Sequence, residues 1–142
     1  MSAKKQFSEK AQEVLAIANQ ESKRLRCDHV ASEHLLLGLL IYGQGVGSAM
    51  LSNAGLVLDC VQTHVASIGV EPEMASHGYG PSMRGALFRS FRHAESLLHP
   101  KIEPEHLALG LLDETDGGAV RVLRHFGVDT ATTRRHILER IA

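Results

Sequence analysis

The sequence predicts an all-α protein made of two tandem four-helix repeats related by an approximate twofold axis. An eight-residue stretch occurs twice, Glu33-His34-Leu35-Leu36-Leu37-Gly38-Leu39-Leu40 and Glu105-His106-Leu107-Ala108-Leu109-Gly110-Leu111-Leu112, identical at seven of eight positions and offset by 72 residues. Self-similarity at a fixed offset marks a duplicated structural unit. Around each copy, apolar residues recur at three- and four-residue spacings, and no run alternates as a half-buried strand does, so no sheet is expected.

The first helix is predicted to begin after Ser8, whose hydroxyl can accept an orphan backbone N–H, and to run to about Leu25. Ala11, Val14, Leu15, Ala18, Ser22 and Leu25 form its buried stripe, while Glu9, Lys10, Glu13, Glu21, Lys23 and Arg24 lie on the other side. Its counterpart opens at Gly80-Pro81, with proline suited to the first helical position, and carries Met83, Ala86, Leu87, Ser90, Ala94, Leu97 and Leu98. The repeated eight-mers are apolar on too many sides for a half-exposed helix, so each is a central helix covered by its own repeat and its neighbour. Pro104 stands where Ser32 stands, which fixes the start of both central helices and puts Glu33 and Glu105 in the first turn.

The central helices end near Tyr42 and Glu114, ahead of Gly43, Gly45, Gly47 and of Gly117, Gly118. A short third helix follows in each repeat, carrying Val46, Met50 and Leu51, or Val120, Val122 and Leu123. Gly55 and Gly127 read as left-handed caps, closed by Leu56 and Val128. The last helices run from about Asp59 to Ile68 and from Ala131 to Ile141. Residues 1–142 therefore form one domain: repeat one over 7–69, a linker over 70–78 within a Pro- and Gly-containing segment, and repeat two over 79–142.

With 44% hydrophobic and 22% charged residues the chain has the composition of a soluble globular protein, and its length suffices for one core. A net charge of −1 gives no general attraction to nucleic acid or to an anionic membrane. No apolar run reaches the length of a membrane span, and the polar start lacks a signal-peptide core. Cys27 and Cys60 are isolated, which fits reduced, part-buried thiols and a cytoplasmic location. Nine histidines make the charge balance pH-sensitive below about pH 6.5.

Catalytic signatures are missing. The Gly43–Gly47 cluster lacks the lysine, the hydroxyl and the preceding strand of a phosphate-binding loop, and no GxSxG elbow is present. Cys27, Asp28 and His29 are neighbours in a short loop, and such proximity is not a nucleophile's geometry. Glu33-His34 has the wrong order for HExxH and no second histidine follows on its face, so no metal and no cofactor is expected, and a metal-dependent hydrolase rests on histidine content alone. His34 and His106 read instead as core histidines bonding a neighbouring loop. The arginines of the second half, Arg84, Arg89 and Arg92 among them, read as a solvated face, and Phe88 and Phe91 as packing residues at helical spacing.

Glu33 and Glu105 carry two readings. Each is a favourable charge in a first helical turn, worth about 0.3–1 kcal/mol. Each is also an acceptor for a cationic group docking in a groove between the first helix of its repeat and the central helix. A carboxylate takes a guanidinium in a two-pronged bond, and amides at a helix start hold a phosphate.

The repeated eight-mer, the Phe7-Ser8-Glu9-Lys10-Ala11-x-x-Val14-Leu15 lead-in, the Gly43-Gln44-Gly45-Val46 turn and the segments ending at Gly55 and Gly127 resemble the double Clp-N motif. This is the amino-terminal domain of Clp/Hsp100 unfoldases, and the resemblance is to the ClpC type over essentially the whole chain. It implies a non-catalytic module that receives substrate proteins or adaptors for an ATPase ring and protease core, or a stand-alone accessory subunit or adaptor docking on that machinery. Some ClpC-type domains recognise phosphoarginine with a site in each repeat. The family glutamate of each site corresponds to Glu33 and Glu105, and the residue before the first helix to Ser8 and Gly80. Phe7 and Tyr79, just ahead of those caps, complete the candidate contact set. Two departures bear on it: Gly80 has no hydroxyl, and Asp113-Glu114-Thr115-Asp116 replaces the usual turn after the second central helix. Both make the first repeat, with Glu33 and Ser8, the nearer to the ClpC pattern.

Overall fold

The computed structural model describes residues 6–68 and 78–142. The expected linker at 70–78 thus lies outside the described residues except for Gly78. Repeat one supplies α1 (Glu9–Arg24), α2 (Ser32–Tyr42), α3 (Gly45–Asn53) and α4 (Leu58–Ser67). Repeat two supplies α5 (Pro81–Ser96), α6 (Pro104–Leu112), α7 (Gly118–His125) and α8 (Thr130–Ile141). The all-α class and the helix order follow the sequence pattern.

The central helices α2 and α6 are the core. Leu35, Leu36, Leu37 and Leu39, and Leu107, Leu109 and Leu111, have no exposed surface. Helix α1 lies along α2 and α5 along α6, while the third helices cross over: α3 packs on α6 and α8, and α7 packs on α2 and α4. Neither repeat could bury its central helix alone, which explains why the eight-mers show no polar face.

The glycine inside each eight-mer is a packing device. A methyl on Gly110 would stand 2.5 Å from the Ala86 carbonyl oxygen and 2.5 Å from Ser90 Oγ, and one on Gly38 would stand 2.8 Å from the Val14 carbonyl oxygen. The central helix touches the backbone of the first helix there. In an open helix, Gly→Ala gains about 1 kcal/mol. Here the sign inverts: Gly110→Ala should lower stability by about 2 kcal/mol through overpacking, as read by urea denaturation.

Four expectations are corrected. A small sheet exists: β1 (His29–Val30) pairs in parallel with β2 (Gly78–Tyr79), His29 against Gly78 and Val30 against Tyr79. Two-residue strands leave no alternation to read, so the pattern could not announce them. Glu21, placed by spacing on the polar side, is 7% exposed because Arg24 holds it in a two-pronged bond of 3.0 and 2.8 Å and Gln62 adds a third at 3.3 Å. Leu98 and Phe88, assigned to packing, are 88% and 60% exposed. Helix α5 stops at Ser96, and Leu98 turns outward in the left-handed conformation at φ +60°, as Arg26 does at the equivalent position. Finally, both thiols are free but only Cys27 is part-buried, Cys60 being exposed.

Candidate functional site

The segments leading into α1 and α5 are exchanged between the repeats. Ser8 N–H donates to the Ile102 carbonyl at 3.0 Å, Ile102 N–H donates to the Gln6 carbonyl at 2.9 Å, and Phe7 bridges Ile102 in parallel. Gly80 N–H makes the equivalent bond to the Val30 carbonyl at 2.8 Å, beside the Val30–Tyr79 pair. Val30 and Ile102 each stand three residues ahead of a candidate glutamate. The structure therefore groups Phe7 and Ser8 with Glu105, and Tyr79 and Gly80 with Glu33. The sequence had paired them within each repeat, because a chain order carries no sign that the lead-ins cross.

The glutamates also lie elsewhere than in a groove between the first and central helices of their own repeat. The Glu33 carboxylate occupies the place a side chain on Gly118 would take, at the start of α7 in the other repeat. Next to it, Ser32 Oγ accepts from Ala119 N–H at 3.0 Å, and Ser32 N–H donates to Ser82 Oγ at 3.0 Å at the start of α5. Three helix starts converge around Glu33, which is 3% exposed. Positive partial charge at helix N-termini favours a carboxylate in that position. Glu33 also borders a cavity of 220 Å³ with Arg26, Cys27, His34 and Val65. Burial, and then the Glu33 and Asp28 charges, push the Cys27 thiol above its ordinary pKa.

Glu105 meets the start of α3 in the same sense. A methyl on Gly47 would stand 3.3 Å from the Glu105 α-carbon, and one on Gly45 4.0 Å from Glu105 Oε1. Pro104 offers neither the hydroxyl nor the N–H of Ser32, so this end is less tied. Glu105 stays partly exposed, and its Oε2 is screened from water with no hydrogen-bond partner among the described residues. Ser8 caps α1 by accepting from Ala11 N–H at 3.1 Å, which leaves its hydroxyl proton to donate.

His34 and His106 take the third position of their helices, each 1% exposed. Nδ1 of each accepts a backbone N–H, from Ala31 and from Glu103, at 2.8 Å. His106 Nε2 therefore carries the ring proton and donates to His99 Nδ1 at 2.8 Å.

The acidic turn has roles that sequence reasoning missed. Asp113 accepts from His93 at 2.5 Å and Arg134 at 2.7 Å; burial pushes its carboxyl up, but His93 and Arg134 together outweigh that and hold it below the usual range. Glu114, 6% exposed, accepts from Val120 N–H at 2.9 Å and so caps α7. Part of the arginine face is engaged internally, Arg89 donating to the Gly110 carbonyl at 2.9 Å and Arg121 to the Gly117 carbonyl at 3.2 Å. Around the start of α5 these groups enclose a cleft of 430 Å³ lined by Pro81, Ser82, Arg89, Glu114, Gly117 and Arg121. An acidic residue at a turn is common, so only the 72-residue comparison with Tyr42 could have marked Glu114 as particular to the second repeat.

The family described as the Clp repeat (R) N-terminal domain matches residues 6–97 and 78–142, and the chain belongs to that family. It is 36% identical over 140 residues to a probable ATP-dependent Clp protease ATP-binding subunit of Chlamydia pneumoniae, covering 95% of this chain and 16% of that protein. It is also 36% identical over 136 residues to the negative regulator of genetic competence ClpC/MecB of Bacillus subtilis, covering 94% of this chain and 17% of that protein. The chain thus spans about one sixth of these relatives. The N-terminal domain of the ClpD chaperone from Arabidopsis thaliana superposes with a TM-score of 0.81 at 26% identity, over 96% of this chain and 98% of that one. The Hsp104 N-terminal domain of Candida albicans, at 13% identity and a TM-score of 0.78 over 96% of this chain and 91% of that one, shares the fold. In this family the domain is a non-catalytic module of Clp ATPases. Among the described residues, no single helix is long and apolar enough to cross a membrane.

Proposed function

We propose that this domain receives substrate proteins or adaptors for a Clp-type ATP-dependent unfoldase and protease, and that it reads phosphoarginine on proteins marked for degradation. The observation that carries the ligand is Glu105 Oε2, a carboxylate oxygen removed from water and left without a hydrogen-bond partner among the described residues. Such an acceptor is costly to leave unmatched, and a guanidinium matches it with two parallel donors. Ser8, at the helix start that meets the same loop, supplies a hydroxyl proton for the phosphate at the positive end of α1. On the opposite side Glu33 is already packed on Gly118, and the α5 cleft offers Arg89 and Arg121, so that side contributes to phosphate more than to guanidinium. These features favour Glu105, whereas the lead-in residues alone favour Glu33.

Calorimetric titration tests this. Phosphoarginine should bind, arginine and free phosphate should bind far more weakly, and Glu105→Gln should cut phosphoarginine affinity about tenfold, the loss of a charge-assisted hydrogen bond. Glu33→Gln should have the smaller effect. Equal binding of all three ligands, or an unchanged affinity in Glu105→Gln, would refute the assignment.

A further inference from the structure

Because the third helices cross over, the molecule carries one groove twice. The copy between α4 and α7 has a volume of 470 Å³ and is lined by Cys60, His64 and Ser67 facing His125 and Phe126. The copy between α8 and α3 is lined by Thr132, His136 and Glu139 facing Asn53 and Ala54, the residues at the same 72-residue offset. Its volume is 680 Å³.

The two copies differ in their filling. In the α4–α7 groove, His125 stacks on His64 with ring centres 3.8 Å apart and planes 13° apart, and Phe126 meets His64 edge-on at 5.6 Å. In the α3–α8 groove the places of those two rings are taken by Asn53 and Ala54, and His136 has no aromatic neighbour among the described residues. Met50, 9% exposed, contributes the buried apolar side chain of the lining. The Asp129 carboxylate on the rim is occupied as the α8 cap by Thr132 N–H at 3.1 Å and Thr132 Oγ at 2.9 Å. The charged groups on the rim are Asp129 and Glu139 against Arg140.

We propose that the α3–α8 groove is a docking site for an aromatic side chain of a partner polypeptide, seated on His136 as His125 and Phe126 are seated on His64. The pseudo-symmetric half of the same molecule shows which chemistry completes this groove, the edge-on contact of Phe126 with His64 at 5.6 Å being a favourable geometry for aromatic pairs. This site is separate from Glu33 and Glu105 and does not depend on phosphoarginine binding.

Titration of the isotope-labelled domain with N-acetyl-phenylalanine amide, followed by amide and imidazole chemical shifts, tests the proposal, with N-acetyl-leucine amide as the apolar control. The phenylalanine probe should produce saturable shifts centred on Asn53, Ala54, Thr132 and His136 at concentrations on the order of 1–10 mM, and the leucine probe should bind about tenfold more weakly. Ala54→Phe, which installs the other repeat's own ring, should abolish the response. His136→Ala, which cannot overfill the groove, should weaken it and decides the matter if Ala54→Phe does not fold. Shifts confined to another surface, equal binding of the two probes, or an undiminished response in His136→Ala would overturn the proposal.

Discussion

Leu37→Ala should destabilise the domain by about 2–5 kcal/mol, the cost of a cavity at a fully buried leucine. Leu37 has no exposed surface and lies in α2, which is flanked by α1 from its own repeat and by α7 from the other. A hole there cannot be closed by moving one surface helix, because the crossed third helices tie both sides. The expected result in urea denaturation is a lower midpoint with an unchanged slope, since the same surface is exposed on unfolding. Glu33→Gln makes the contrast. It keeps the size of the buried side chain against Gly118 and should cost much less, whereas Glu33→Ala would also empty a packed position between the repeats. The truncation to alanine is therefore not a clean binding probe at Glu33, contrary to what a first-turn position alone would suggest.

Acid should remove about 3 kcal/mol of stability through His34. Its pKa is lowered from 6.5 to about 4, first by burial, then by the neighbouring His29, against the pull of Glu21. The folded state thus resists a proton that the unfolded chain accepts. Above pH 6.5 both states are neutral at this position and stability is flat; from pH 6.5 down to about 4 the unfolded state gains the proton first and stability falls. Glu21 and Asp113 act lower. Their carboxyls are held below 4.5 and 3.8, so their stabilisation is present above those values and is lost as pH falls through the depressed ones. Denaturation between pH 7 and 4.5 separates the two windows. His34→Gln keeps an acceptor for the Ala31 N–H, as glutamine does at this position of a capping box, and does not titrate. Its stability should be markedly less pH-dependent across that range, and an unchanged pH profile would mean that His34 is not the group responsible.

The helices were legible because periodicity and caps are local. Ser8 announces α1 through its own hydroxyl, and Pro104 can stand only at the start of α6. The duplication supplied the pseudo-symmetry, and the uniformly apolar eight-mers implied that each repeat must be covered by the other. Long-range exchange left no such mark. The Ser8–Ile102 and Gly80–Val30 bonds join backbone groups, which any side chains permit, so the partners of Glu33 and Glu105 could not be assigned from order along the chain. Glu21 was misplaced for a related reason: its position faces α4, and only the fold reveals Gln62 opposite it. Leu98 shows the converse, an apolar residue that spacing adds to a stripe after the helix has already stopped.

The crossed pairing is tested most directly by a double-mutant cycle on phosphoarginine affinity. Ser8→Gly converts that cap to the residue found at Gly80, at a cost of only a few tenths of a kcal/mol in helix capping. Combined with Glu105→Gln, the two losses should be non-additive by at least about 0.5 kcal/mol, because both groups hold one ligand; combined with Glu33→Gln they should add. Coupling of Ser8 to Glu33 and additivity with Glu105 would contradict the account, and would return each site to a single repeat.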